Sequence, residues 1–399
     1  MLRSLFSGIS SLRAHQTMLD VTGNNIANAN TTGYKASRTL FQDTLSQLLR
    51  PAGAPQGADG GTNPAQVGLG VMVAGIGPDF AAGAAQQTGR SLDMMISGDG
   101  FFVVHQNGEQ LYTRAGAFSL DAEGHVVTST GGMVQGWTAG ADGSIDVNAP
   151  IGGLRLPVAY VMGASATTAV TFEGNLPADT ATTTTLTRAI EVYDALGTAH
   201  TLDLVFTPDD LAVPSWTATA TVDGTSTTTT LVFDPTTGAL ASGGTIAVTV
   251  AGASVAVDLT TVTGFAGLTT IEAQGQDGEP AGTLQAFAAT SDGTLIGSFS
   301  NGLKQAVGRI ALANFANPAG LEKAGSSLFR TSVNSGEAQI GEPRTGGRGI
   351  LTGGALEMSN VDLSQEFTNL IIAQRGYQAG ARVITTSDEL LQELVNLKR

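Results

Sequence analysis

Residues 356–397 read LEMSNVDLSQEFTNLIIAQRGYQAGARVITTSDELLQELVNL. Leu356, Leu363, Leu370, Tyr377, Ile384 and Leu391 recur every seven residues, with Phe367, Ala381 and Val395 four positions on from three of them. Apolar residues at that spacing are the mark of a helix that lays one stripe along a second helix. Ser359 followed by Asp362 fits a capping box and starts the predicted helix near Asn360. From there to Leu397 it would run about 55 Å. Gly376 and Gly380 lie four apart inside it. Each costs roughly 1 kcal/mol against alanine, so the pair predicts a close approach of another helix.

The opposite end offers that helix. Leu5, Leu12, Leu19 and Ile26 keep the same seven-residue spacing, with Leu2 and Ile9 flanking the stripe. All 13 prolines fall between Pro51 and Pro343, so both ends are free of them. Leaving Leu2, Leu5, Phe6, Ile9, Leu12 and Leu19 in water would forfeit on the order of 10 kcal/mol of burial. The stripe packs either as an intramolecular hairpin on a globular core or between subunits. Without partners such helices are marginal in water, and the Asn-rich stretch 24–32 has nothing local in the sequence to pin it.

Between the ends the period changes to two. Phe102 and Val104, the pair Asn107-Gly108, then Leu111 and Thr113 predict a hairpin. Phe118 with Leu120 and Val126 with Thr128 predict another, and so do Ile190–Phe206 around Gly197 and Ile246–Leu259 around Gly252. The middle is predicted to be β throughout. The Pro- and Gly-rich stretch 51–66 reads as a loop or linker, and the Gly-rich stretch 275–282 as the exit from a separate outer domain.

Composition agrees with β structure and excludes several functions. The 399 residues are enough for two to four domains. Hydrophobic residues make up 42%, charged residues only 13%, and glycine occupies 53 positions, which suits turn-rich strands. A net charge of −15 argues against a nucleic-acid partner. The Thr-rich span 159–271 carries ten acidic side chains with Arg188 as the one Lys or Arg, and has Thr runs at 182–185 and 227–230. There is no cysteine and no apolar run long enough to cross a membrane. The N-terminus does not read as a cleavable signal peptide, so export is expected to leave it uncleaved.

Motifs for catalysis are missing. His15, His105, His125 and His200 are scattered without metal-ligand spacing, and no nucleophile elbow or phosphate loop occurs. Gly98-Asp99-Gly100 before Phe101 reads as a turn entering a strand. Asp142, Ser144, Asp146 and Asn148 alternate like calcium ligands but lack the loop glycine and closing glutamate, so a turn explains them. No enzyme activity, cofactor or metal is expected.

Three motifs carry a family resemblance. Ser7-Gly8-Ile9-Ser10, then Asn24, Asn25, Ile26, Ala27 and Asn28, then Asn30 through Gly33, Tyr34 and Lys35 form the first. Gly98, Asp99, Gly100, Phe101 and Phe102 with Tyr112-Thr113-Arg114-Ala115-Gly116 form the second. Ser359-Asn360-Val361-Asp362-Leu363 with Gln374-Arg375-Gly376-Tyr377-Gln378-Ala379 form the third. Together these resemble the rod and hook family of axial proteins of the bacterial flagellum. Within it, the Thr-rich insert and Val192-Tyr193-Asp194-Ala195-Leu196-Gly197 are similar to the hook type rather than the shorter distal-rod type.

The resemblance implies a structural subunit, exported unfolded by the flagellar type III apparatus. Such subunits polymerise into a flexible tube, a universal joint between motor and filament. It implies that the helix stripe, Leu2 to Ile26 and Leu363 to Leu391, drives self-assembly. It also implies the distal rod, hook-cap and hook-filament junction proteins as partners. The expected architecture is mainly β with paired, coiled-coil-like terminal helices (1–28 with 362–399) and a connecting segment (29–69 with 351–361). An inner β domain (70–158 with 272–350) and an outer Thr-rich β domain (159–271) complete it. The alternatives are a distal rod subunit or a secreted β-domain adhesin with coiled-coil ends.

Overall fold

In the computed structural model, which describes residues 2–55, 60–140, 142–156, 161–178, 184–210 and 215–397, helix is confined almost wholly to the ends. Helix α1 spans Leu2–Ala27 and α2 spans Leu363–Leu397, with strands filling the interval. The fold is thus mainly β with long helical termini. α2 begins at Leu363 rather than near Asn360, because its cap is Asp362. The Asp362 Oδ1 accepts hydrogen bonds from the N–H groups of Ser364 at 2.8 Å and Gln365 at 3.2 Å, while Ser359 Oγ accepts from Val361 N.

The chain forms two compact units. One comprises Met1–Leu156, Ala288–Ile296 and Ala306–Arg399; the other comprises Pro157–Phe287 and Gly297–Gln305. The second unit is a sandwich. Strands Leu186–Tyr193, Ala199–Asp210, Ser215–Val222, Thr225–Phe233 and Leu240–Ser242 make an antiparallel meander. Opposite it lies a sheet of Thr245–Val250, Ala253–Asp258, Ala169–Asn175, Val262–Thr263 and Glu272–Gln276. Alternation builds the core between them. Trp216, Ala218, Ala220 and Val222 turn inward, as do Leu202, Leu204 and Phe206, against Phe172, Ile246, Val248 and Val257. The outward residues between them are largely threonine, whose β-branch suits a pleated, half-buried surface. Run 182–185 lies partly outside the described residues.

Turns follow the predicted chemistry. Asn107-Gly108, Asp223-Gly224 and Ala251-Gly252 all have positive φ at both positions, as two-residue hairpins of the primed type require. Asp142 and Asp146 each accept the N–H two residues ahead, from Ser144 and Asn148, so they serve turns. The stretch 275–282 is not a linker. Glu272–Gln276 pairs with Ala169–Asn175, Ser165 and Glu279 exchange backbone hydrogen bonds, and a Cβ at Gly278 would meet the Thr167 backbone.

In the first unit, strands Met133–Thr138, Phe101–Gln106, Glu109–Thr113, Leu328–Arg330 and Glu322–Gly325 are neighbours in that order. Phe101 and Phe102 point to opposite faces, as successive strand residues must. Phe101 meets Phe315 at 5.6 Å and Phe80 at 5.2 Å, both edge-on, while Phe102 meets Phe118 at 5.0 Å. Gly98 and Gly100, at φ 102° and 123°, supply the turn that delivers this pair.

Three segments distant in sequence are fastened at one buried ion group. Lys35 Nζ donates to Glu357 Oε1 and to the Ala81 carbonyl, both at 2.7 Å, and both paired side chains are fully buried. Gly83 N donates to the same Oε1 at 2.9 Å, and Gly33 N donates to the Glu357 carbonyl at 2.8 Å. Arg114 Nη1 lies 3.6 Å from Glu357 Oε2. Burial pushes the Lys35 pKa down against the opposing pull of Glu357, and burial likewise lowers that of Arg114. Gly33 has φ 67°, and a Cβ there would lie 2.5 Å from Ala115 N, so only glycine permits this approach.

Replacing Glu357 with alanine strands two buried cations and is expected to cost about 3–5 kcal/mol, read as a lowered melting transition of the first unit. The combined Lys35→Met, Arg114→Met, Glu357→Leu variant should recover most of that loss. A wild-type transition for Glu357→Ala would show that the group is not fastened as described. In the second unit, Trp216→Ala should cost about 3–5 kcal/mol and shift only that unit's calorimetric transition. A shift of both transitions together would contradict separate cores.

Candidate assembly surface

The two terminal helices run antiparallel. Ser4 Oγ lies 3.4 Å from Ser387 Oγ, Gly8 lies beside Gly380, and His15 lies beside Gly376. A Cβ on Gly380 would come within 3.2 Å of Leu12 Cγ and 3.4 Å of the Gly8 carbonyl oxygen. One on Gly376 would collide with the His15 ring. The glycine pair therefore marks a close helix approach. His15, with its ring 5.9 Å from that of Phe41, is wedged rather than superficial.

The seam has a different phase from the stripe read in the sequence. On α2 the buried positions are Glu366, Ala373, Gly380 and Ser387, again every seven residues but small or polar. Leu370, Ile384 and Leu391 border this line half-buried, whereas Leu363, Phe367 and Tyr377 are exposed, Phe367 by 52%. On α1, Leu5, Leu12, Leu19 and Ile26 are half-buried, Ile9 is exposed, and Phe6 is exposed by 67%. Leu2 occupies the first residue of α1; its side chain lies outside the described set. Small residues win the seam because they let two backbones touch, which multiplies van der Waals contacts. The large apolar side chains are pushed onto the flanks. The helices thus pair within one chain, as an intramolecular hairpin, and still leave an apolar surface. Down one side of α2 run Leu363, Phe367 and Ile371; the other carries Ile372, Val383 and Leu390.

The Asn-rich stretch is pinned after all. Asn25 is buried, donates to the Ser37 carbonyl at 2.9 Å and accepts from Ser37 N at 3.0 Å and the Tyr34 hydroxyl at 3.2 Å. Asn24 Nδ2 donates to Tyr34 Oη at 3.0 Å, and Asn28 Oδ1 accepts from Thr31 at 3.0 Å. Asn30 is exposed. Burial, then the Glu366 carboxylate, raises the Tyr34 pKa. Asn360 closes the arrangement, accepting from Ala36 N and donating to the Asp79 carbonyl, both at 2.8 Å.

Sequence reading missed one element. Ser37–Asp43 pairs with Val71–Pro78, and Ser46–Arg50 pairs with Ala65–Gly68, making a two-stranded ribbon. Its outer strands flank the stretch 51–66 read as a loop or linker, and the ribbon crosses the boundary drawn at residue 69. The ribbon packs on α1 where Ser10 Oγ accepts from Val71 N at 3.3 Å. Leu40, Leu45, Leu48, Leu49, Met72 and Ile76 are exposed along it, Leu45 by 82%. The apolar residues of this stretch, Leu40, Phe41, Leu45, Leu48 and Leu49, do not alternate, and proline and glycine from residue 51 onward obscured the return strand.

Four family models match the chain in order. The flagella basal body rod protein model matches residues 5–35, and the flagellar hook protein FlgE/F/G D1 domain matches 95–178. The flagellar basal body protein FlaE D2 domain matches 163–279, and the flagellar basal body rod FlgEFG protein C-terminal model matches 352–397. The chain is 40% identical to flagellar hook protein FlgE of Borreliella burgdorferi and 38% identical to that of Treponema pallidum, each alignment covering 100% of both chains. The crystal structure of Helicobacter pylori flagellar hook protein FlgE2 shares the fold, with a TM-score of 0.53 at 15% identity over 68% of this chain and 100% of that one. Helical ends of matching motif, the β units between them and full-length similarity agree: the chain belongs to the flagellar hook protein FlgE family, structural subunits of the hook of the bacterial flagellum.

Proposed function

We propose that this subunit builds a flexible helical tube through the flanks of its paired terminal helices, and that the tube acts as a universal joint carrying torque from motor to filament. The observation that carries this reading is the exposed apolar pair of flanks on α2 beside a seam already closed by small residues. An intramolecular helix pair needs one apolar face; this one has surplus on both sides. Contacts that do not close into a ring generate an open helical polymer.

In this reading Leu5, Leu12, Leu19 and Ile26 hold the pair together with Leu370, Ile384 and Leu391. Ile9, Leu363, Phe367 and Tyr377 meet neighbouring copies, joined by the ribbon. The helices (1–28 with 362–399) carry the assembly contacts, followed by the connecting segment (29–69 with 351–361), the β domain read as 70–158 with 272–350, and the Thr-rich domain read as 159–271, to which the strand Glu272–Gln276 adds. The distal rod, hook-cap and hook-filament junction proteins bound the polymer at its ends, and the flagellar export apparatus delivers the unfolded chain.

Seam and flank substitutions separate the two roles. Gly380→Val drives a side chain into Leu12 and the Gly8 backbone; it should lower the helical circular dichroism of the free subunit. The triple variant Phe367→Ser, Ile371→Ser, Leu390→Ser should leave that signal and the melting transition unchanged. At roughly 1 kcal/mol per half-exposed side chain, it should raise the critical concentration for tube formation about a hundredfold. Tubes from the triple variant at the wild-type concentration, seen by electron microscopy, would sink the reading.

A further inference from the structure

In the first unit, residues 331–336 form a turn fixed on every side. Ser332 N donates to Ser335 Oγ at 3.0 Å, Asn334 N to Ser332 Oγ at 3.1 Å, and Ser332 Oγ to the Gly320 carbonyl at 2.6 Å. Ser335 Oγ donates to the Ser332 carbonyl and Asn317 Nδ2 to the Asn334 carbonyl, both at 2.9 Å. Ser335 is wholly buried, and a Cβ on Gly320 would lie 2.8 Å from the Asn334 carbonyl group. At the tip of this turn Val333 is 107% exposed. Nothing in a turn made by serine and asparagine hydrogen bonds calls for a β-branched apolar residue there. A lone exposed apolar side chain is ordinary on a protein surface. One held out on a rigid turn is preorganised, and loses little further freedom when it docks.

The same unit contains a cavity of about 320 Å³ whose lining includes Thr32, Thr113, Ala115, Ala117, Thr128 and Leu328. These side chains offer methyl groups and hydroxyls. At its margin Ser326 and Ser327 are held at φ 50° and 58°, and Thr113 Oγ1 donates to the Ser327 carbonyl at 2.9 Å. They are the two central residues of the tight hairpin turn between Glu322–Gly325 and Leu328–Arg330, which requires positive φ at both. Neither the turn nor the cavity lining includes an ionisable side chain, in a chain of net charge −15. Copies of so acidic a chain repel where charged surfaces meet, so neutral patches are where they can touch.

We propose that Val333 inserts into this cavity on a second copy of the chain. Turn and cavity are different patches of the surface, so the contact can repeat head to tail from copy to copy, as a polymer requires. The inference rests on the assembly reading and adds a contact between β units that is separate from the helices.

The chain has no cysteine of its own, which makes disulfide trapping unambiguous. The double variant Val333→Cys with Ser129→Cys, the latter in the cavity lining, assembled into tubes and oxidised, should give a ladder of covalent oligomers on a non-reducing gel. Either single variant should stop at dimer or monomer. Val333→Asp should leave the melting transition of the free subunit unchanged and raise the critical concentration for assembly about tenfold. Tubes that give no ladder, or that form normally with Val333→Asp, overturn this contact and leave helix-mediated assembly standing. An unsubstituted chain that never polymerises overturns both.

Discussion

Lys35, Glu357 and Arg114 form the constraint on which the first unit depends. The three residues come from the stretch after α1, the approach to α2 and the central β sheet, so one buried carboxylate fastens both chain ends to the core. A buried ion pair is weak evidence for net stability, because desolvation offsets most of the attraction. What it does enforce is uniqueness. Once a cation is buried at Lys35, any arrangement that leaves it without Glu357 is strongly disfavoured, so the entry to α2 has one place to be. Gly33, Gly83 and Ala81 fit around this point with backbone groups rather than side chains, which leaves no room for substitution on the approach.

From that fastening the helices project with a seam of small residues and flanks of large ones. This inverts the usual soluble hairpin, in which leucine fills the seam and charge covers the outside. Backbone contact at Gly8 and Gly380 fixes the axial register of the pair, because sliding by a turn would push Leu12 or Ile384 into the partner's backbone. A rigid pair with apolar flanks is a better building block than two separate amphipathic helices, since the ordering of each helix precedes association.

The sequence displayed the period of these helices clearly and their phase poorly. A repeat of seven fixes which residues share a face. It does not say whether the face closest to the partner is the bulkiest one, and Ala373, Gly380 and Ser387 were outranked by leucines in any hydrophobic count. Hairpins around Asn107, Gly197 and Gly252 were legible because the turn chemistry is local. The ribbon was not, since its return strand at 65–78 pairs across a stretch of proline and glycine that reads as a linker. The hydrogen bonds of Asn25 and Asn360 were invisible for a related reason: the partners of Asn25 lie 9 and 12 residues away in sequence, and those of Asn360 lie 279 or more away. Stretch 275–282 misled because glycine signals freedom when read alone, while at Gly278 it answers a crowding that only the tertiary fold creates.

Ser4 stands opposite Ser387, yet α2 continues to Leu397. The last turns of α2, about 12 Å of helix, extend past the level of Leu2 and carry the exposed Leu390 and Val395. One end of the helix pair thus presents exposed apolar side chains, while at the other both helices are anchored in the ion group and the asparagine cluster. In the open polymer proposed above, units with such unlike ends set in one sense give a fibre two chemically distinct tips.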